Sequence, residues 1–261
     1  MNRQEYIEIK NRAWKWYKNG MKSWILTTIK DFANAPQWVK NAVCYYQGNS
    51  KIDFDFVVDC DDVNLLKRYD TQIDTILRAS QRLNFKVNYT KELLEFQEAE
   101  RDSDEYEMID ALCDMIITAI NAGGSLGKEF GSYGALLGST FNITSVLNDR
   151  SEIYKLCDSI RYLGYEPYKC LCETMKELET RTGSWNEQEG KWCKDLGAYT
   201  EQEAYEIAKE KGIFYNFGLE YDQKTKEPYW VSDNSADWKK LKIKKWYKAD
   251  YSKCKLGEQN V

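Results

Sequence analysis

One short stretch constrains this chain more than any other. Between residues 107 and 120, Ile109, Leu112, Cys113, Ile116 and Ile120 recur at helical spacing, and Glu107, Asp110 and Asp114 lie together along the border of that apolar stripe. Asp114 is almost enclosed in hydrophobic sequence. An ionised carboxylate in such a place is costly unless it is protonated, paired or bound to a metal, and neighbouring carboxylates raise one another's pKa.

A second acidic segment precedes it. Glu92 and Glu95 are three residues apart, Asp110 and Asp114 four apart, and residues at those spacings stack on one face of a helix. From Glu92 to Asp114 there are ten Asp or Glu and a single basic residue, Arg101, so the positive partner has to come from elsewhere. Mg²⁺ or Mn²⁺, which favour oxygen ligands, is the economical choice. Acidic runs on helices are usually solvated faces. The embedding of Asp114 and the second carboxylate pair weigh against that reading here.

These segments resemble the MazG and phosphoribosyl-ATP pyrophosphohydrolase-like nucleotide pyrophosphohydrolases, particularly phage-type members. Lys91-Glu92-Leu-Leu-Glu95-Phe is similar to that family's Glu-Glu-x-x-Glu-Leu, with Lys91 in place of the first Glu. Asp110-Ala-Leu-Cys-Asp114-Met-Ile-Ile resembles its Asp-Ala-Leu-x-Asp run, with Ala111 where a Glu would stand three residues before the last Asp. Either Asp110 takes that role one residue earlier, or the acidic pair is Glu107 with Asp110 and Asp114 lies behind it. The adopted assignment makes Glu92, Glu95, Asp110 and Asp114 the catalytic metal ligands, with Glu107 in reserve. Ser80-Gln-Arg82-Leu-Asn84-Phe resembles the segment before the family's first acidic helix, and Glu173 to Gly183 its closing helix. The resemblance covers roughly residues 60 to 195.

The resemblance implies a mainly α fold with a MazG-like antiparallel helical-bundle core over residues 59–183. An aromatic-rich extension precedes it (1–58), and a small mixed extension of loop, short helix, hairpin and Lys-rich segment follows (184–261). It also implies Mg²⁺- or Mn²⁺-dependent hydrolysis of a nucleoside triphosphate to its monophosphate and pyrophosphate, and a homo-oligomer. The expected substrate-binding residues are Lys91, Lys176, Arg181, Lys191 and Lys194 toward phosphates and Trp192 toward the base.

Composition excludes several alternatives. The 261 residues contain no His, which removes Ser-His-Asp and Cys-His catalysis and most zinc sites. Eight Cys form no CxxC pair, and neither a GxxxxGK[ST] nor a GxGxxG fingerprint occurs. No apolar run reaches membrane-spanning length and the first residues do not resemble a signal peptide, so the expectation is a cytoplasmic protein, in the host cytoplasm if phage-encoded, with reduced thiols and no membrane partner.

Elsewhere the pattern is mostly helical. Trp14, Trp16, Tyr17, Trp24, Phe32, Trp38, Tyr45 and Tyr46 read as packing aromatics in preference to a nucleic-acid stacking surface. Ile52 to Cys60 alternates like a short strand. Helices are expected over 62–83, in the two acidic segments, over 150–163, and over 166–181, entered through Pro167. Gly123 to Gly127 reads as a helix stop, and 131–148 as loop or loosely packed helix.

Ser184 to Asp195 reads as a turn-rich loop, either lying over the site or merely anchored to the core by Trp185 and Trp192; Thr200 to Gly212 is expected to be a capped helix, and Ile213 to Val231 a hairpin. Residues 236–255 carry eight Lys against two Asp and read as a solvated helix or tail, with nucleic-acid or polyphosphate binding as the other reading. The rival to the enzyme is therefore a non-catalytic phage accessory protein that holds nucleic acid or a host protein through its aromatic and Lys-rich ends. A third reading keeps the fold and nucleotide binding but not turnover, with Lys91 and Ala111 marking the loss.

Overall fold

A computed structural model describes residues 1–30, 63–122, 152–186 and 191–257. Among these the chain forms six α-helices, two small sheets and a terminal 3₁₀ turn, a mixed α/β arrangement. This corrects the expectation of a mainly α protein with a helical-bundle core. A four-stranded sheet with its own helix and a separate two-stranded hairpin account for most of the chain after residue 180. The expected strand at 52–60, the helix stop at 123–127, the segment 131–148 and four of the amino-terminal aromatics, Phe32, Trp38, Tyr45 and Tyr46, lie outside the described residues. None of the described helices is long and apolar enough to cross a membrane.

Two compact units are present, residues 1–175 with 250–261, and residues 176–249. In the first, α1 (Arg3–Lys30) opens with a capping box: Asn2 Oδ1 accepts from the amides of Gln4 and Glu5, and Glu5 reaches back to the Asn2 amide. Its inner stripe is Tyr6, Ile9 and Ala13, all buried. Trp14 lies 3.8 Å beneath the Arg78 guanidinium, so this aromatic packs within the fold.

The next helix, α2 (Val63–Asp102), runs unbroken for 40 residues, where a helix over 62–83 and a separate acidic helix were expected. Nothing between Asn84 and Lys91 is Gly or Pro, so the chain has no residue there that would end a helix. The stop comes at Ser103, in the left-handed region at φ 56°. The Ser103 amide bonds to Glu100 O (3.3 Å) and the Asp104 amide to Ala99 O (2.9 Å), the two bonds of a Schellman motif. Asp104 then caps α3 (Glu105–Asn121), its Oδ1 accepting from Tyr106 N and Glu107 N at 3.1 Å each. One residue thus closes one helix and starts the next, and α2 and α3 pack along each other.

Helix α3 is the centre of this unit. Ile109, Leu112, Cys113, Met115, Ile116 and Ile120 are fully buried, against α1, α2 and α4 (Glu152–Tyr162). Each such aliphatic side chain contributes about 1.5–3 kcal/mol on burial. Helix α5 (Pro167–Thr180) begins with proline at its first position, where the missing amide costs nothing. The carboxyl end returns to this unit through a bridge between Tyr165 and Lys255 and through Glu166 N bonding to Cys254 O at 2.8 Å, which place the 3₁₀ turn Tyr251–Cys254.

The second unit holds β1 (Gly183–Asn186) paired with β2 (Lys191–Lys194), a hairpin where a loop was expected. A four-stranded sheet follows in the order β3 (Gly197–Ala198), β6 (Lys239–Lys245), β5 (Pro228–Asn234), β4 (Asn216–Tyr221). The Lys-rich segment is therefore a central strand and not a helix or tail. It alternates Lys with Leu241 and Ile243, and the buried members of that alternation fix its face. Helix α6 (Glu201–Glu210) starts at Thr200, whose side chain accepts from Glu203 N, and lays Ala204 and Ala208 against Trp230 and Ile243.

Replacing Asp104 by Ala removes the side chain that caps the start of α3 and should destabilise the protein by about 1 kcal/mol. Ser103→Gly relieves the left-handed residue and should be neutral or stabilising. Urea unfolding followed by circular dichroism checks both, and a loss of stability in Ser103→Gly would contradict the turn.

Candidate functional site

The inward face of α2 reads Phe85, Tyr89, Glu92, Phe96 and Ala99, spaced four, three, four and three. Four of these are buried hydrophobic positions, and Glu92 occupies the fifth with its side chain only 12% exposed. A carboxylate has replaced an apolar residue in a packing seam. Burial, followed by the hydrogen bond and charge of neighbouring Glu95, pushes the Glu92 carboxyl up to about 7, while Lys91 pulls the other way. Glu92 Oε1 lies 3.3 Å from Lys91 Nζ, and Oε2 is buried with no hydrogen-bond partner.

Lys91 is shared. Its ammonium is also 2.8 Å from Glu95 Oε1, and this contact is the main cause of its raised pKa. Both are surface groups, Lys91 66% and Glu95 51% exposed, so the ion pair is solvent-screened and readily rearranged. A shallow groove along this side of α2 is lined by Lys86, Val87, Thr90, Lys91, Leu94 and Glu95.

On α3, the residues left incompletely buried after Glu107 are Asp110, Asp114 and Thr118, a single stripe at spacings of four. Glu107 is exposed at its head. Asp110 accepts a hydrogen bond from the buried phenol of Tyr251, whose oxygen also lies 2.9 Å from Thr174 Oγ1. Burial, with the nearby Cys113 and Asp110, drives the Tyr251 hydroxyl far above its ordinary value, so it remains a donor. Counting helical rise from the Ser103–Asp104 turn puts Glu92 and Asp114 at about the same height, roughly 16 Å away.

Among the described residues, no three His, Cys, Asp or Glu side chains are grouped so as to hold one metal ion. The structure brings Glu92 and Glu95 together around Lys91, and it ties Asp110 to Tyr251. The buried, unpartnered Glu92 Oε2 is the point in this arrangement suited to a cation. Glu92 and Glu95, with the α3 carboxylates Asp110 and Asp114 and then Glu107, are the oxygen donors that would supply the hard ligand set that Mg²⁺ or Mn²⁺ requires.

The remaining candidates lie in the second unit. Arg181 is paired with Glu177, which also accepts from Tyr199 OH at 2.9 Å and from Ala249 N at 2.8 Å. Arg181 itself donates to Tyr199 OH at 2.9 Å, so its guanidinium is built into the structure. Lys176 and Lys194 are exposed, on α5 and β2. Lys191 and Trp192 stand on β2, opposite Asn186 and Trp185.

Sequence reasoning missed two residues, Tyr251 and Glu177. Tyr251 is recognisable only by distant partners, Asp110 among them at 141 positions, a separation that no local pattern encodes; Glu177 shows locally only its i,i+4 pairing with Arg181, while its contact with the Ala249 amide spans 72 positions. No family model, curated protein or solved structure matches this chain.

The raised Glu92 carboxyl makes a signed prediction. Its folded pKa lies above its unfolded one, so the folded state holds the extra proton between about pH 4.5 and 7, and stability falls as pH rises through that window. Glu92→Gln, neutral throughout, should flatten this part of the stability–pH curve and be the more stable protein at pH 8, by on the order of 3 kcal/mol at most. Thermal melts at pH 5 and pH 8 without divalent ions measure it. A variant that melts below the wild type at pH 8 would show that ionised Glu92 is already fully compensated.

Proposed function

We propose that the chain is a divalent-metal-dependent nucleoside triphosphate pyrophosphohydrolase whose metal ligands begin with Glu92 and Glu95 of α2 and continue with Asp110 and Asp114 of α3. One observation carries the reading: Glu92 places a buried carboxylate oxygen without a partner inside an apolar seam, beside a second carboxylate. A bare cluster of this kind is unfavourable for folding, so its presence is economical where a cation and an anionic substrate compensate it. The likeness of these two segments to pyrophosphohydrolase motifs supplies the bond cleaved, between the α and β phosphates.

When bound, Mg²⁺ or Mn²⁺ would neutralise phosphate oxygens and acidify a water for in-line attack. The chain's own groups act around that chemistry. Glu92, ionising near neutrality, is poised to hold or release a proton at Oε2. Tyr251 fixes Asp110 by donating to Oδ1, which orients that carboxylate. Lys91, exposed and held only by screened ion pairs, is free to turn from Glu95 toward a phosphate. We place this activity in the cytoplasm, that of the host if the chain is phage-encoded.

A second reading is favoured by Lys91 itself. Its ammonium stands against both carboxylates where the related motif carries another acid, which suits nucleotide binding without turnover.

Pyrophosphate release from a panel of ribo- and deoxyribonucleoside triphosphates, with Mg²⁺, Mn²⁺ or EDTA, decides between them. The expected result is metal-dependent release of pyrophosphate and monophosphate. Glu95→Gln, at a half-exposed position, should lower the rate by at least about 100-fold while leaving the melting temperature within a degree or two. Metal-independent behaviour, or no pyrophosphate across the panel from folded protein, would overturn the enzyme; nucleotide binding by calorimetry in that case would support the second reading.

Tyr251→Phe removes one hydroxyl from a buried pair and leaves Asp110 without its donor. We expect a stability loss of about 1–2 kcal/mol in urea melts and weaker Mn²⁺ binding by calorimetry. Unchanged Mn²⁺ affinity would remove Asp110 from the ligand set.

A further inference from the structure

We propose that the sheet face carrying Lys240, Lys242 and Lys244 binds single-stranded nucleic acid. The strand register defines this face. Trp230, Leu241 and Ile243 point toward α6, so the alternate residues point the other way. On β6 these are Lys240, Lys242 and Lys244, and they pair across the sheet with Asp233, Val231 and Tyr229 of β5. On β4 the next neighbours are Asn216, Gly218 and Glu220.

The three lysines repeat about every 6.8 Å along an extended strand. Among the described residues, none of them forms an ion pair; the neighbouring pair, Lys239 with Asp237 at 3.9 Å, belongs to the preceding turn. Of the carboxylates near this face, Asp222, just past β4, caps its own turn through the Lys224 and Thr225 amides and lies within the field of Lys242, while the two on the strands are held by neutral groups. Glu220 accepts from Tyr229 OH at 3.1 Å and Asp233 from Asn216 Nδ2 at 2.8 Å. Acidic residues concentrate on the opposite side of the sheet, where α6 carries Glu201, Glu203, Glu206 and Glu210. The row of like charges is therefore only partly compensated within its own unit, by the field of Asp222 on Lys242, and is complementary to a polyanion.

Shape and chemistry narrow the partner. Lys242 Nζ lies 4.9 Å from the centre of the Tyr229 ring, placing a cation and an aromatic surface side by side. Beside them Gly218 has open space where a side chain would stand, so the floor between the lysine row and the β4 edge is low. Trp238, directly before β6, is 90% exposed and offers a second ring. Cations that track a backbone and rings that accept unstacked bases are the two elements of single-strand recognition on sheets. A duplex would present its phosphates without reaching Tyr229, and an anionic lipid surface would make no use of that ring's position.

The test is fluorescence anisotropy of the full chain with labelled oligo(dT) and oligo(U) of about 20 nucleotides, between roughly 50 and 200 mM KCl. Three phosphate contacts predict a log–log salt slope near −2, so affinity should fall roughly 10- to 20-fold over that range. The triple variant Lys240→Gln, Lys242→Gln, Lys244→Gln should weaken low-salt binding at least about tenfold and flatten the slope. Tyr229→Ala should weaken binding by about fivefold or more with the slope unchanged, because it removes stacking and not charge. Lys209→Gln with Lys211→Gln, on the helix side, should change nothing.

No oligonucleotide binding at low salt would overturn the proposal, as would a triple variant that binds like the wild type. Capture by phosphatidylserine vesicles with no oligonucleotide binding would also overturn it, making the face a lipid-binding surface. Equal binding of duplex and single strand, insensitive to Tyr229→Ala, would overturn the single-strand assignment.

Discussion

The burial of α3 on nearly every side is the constraint on which the first unit depends. A helix enclosed by three others has little surface left for polar groups, and the chain puts them on one stripe, Asp110, Asp114 and Thr118, with Glu107 at its exposed head. Everything packed around that helix must then provide for the stripe. Tyr251 does so for Asp110, brought in by a terminal segment that is anchored through Glu166 and Tyr165. The carboxyl end of the chain is in this sense part of the acidic site.

Glu92 poses the complementary problem on α2. Phe85, Tyr89 and Phe96 give the seam its adhesion, and an acid among them weakens it because burial disfavours the ionised carboxylate, which raises its pKa toward neutrality. Natural sequences accept such local conflicts chiefly at functional sites, where a ligand resolves what the folded chain alone leaves unsatisfied. Lys91 offers partial compensation from the surface, and its exposure limits how much that compensation is worth.

The second unit resolves its charges by segregation. Small alanines on α6 allow close approach to Trp230 and Ile243, so a ten-residue helix suffices to cover one face of the sheet. Glutamates line that helix and lysines the opposite sheet face, while Glu177 gathers Arg181, Tyr199 and the Ala249 amide into a buried polar junction. A buried pair of this kind is weak evidence for stability and a better one for a unique arrangement of the segments that it joins.

Local signals in the sequence determined what local physics governs. The periodicity of α3, proline at the start of α5, the Thr200 cap with Glu203 and the hairpin before Val231 were all legible, because each depends on residues within a few positions of one another. The carboxylate pairs were legible as spacing, and so was the shortage of nearby cations.

Tertiary structure decided the rest. Residues 239–245 carry enough lysine to suggest a solvated tail, yet Leu241 and Ile243 find a sheet and a helix to bury against, and the segment becomes a central strand. Residues 63–102 contain no helix breaker, so whether one helix or two formed rested on continuous packing that the sequence does not display. Asp110 acquired a partner from residue 251, and Glu177 one from the Ala249 amide, through contacts across the fold, whereas Glu177 and Arg181 are only four residues apart in the chain. The sequence determined which groups were available and their local geometry; the long-range packing alone decided which of them were neutralised, and by what.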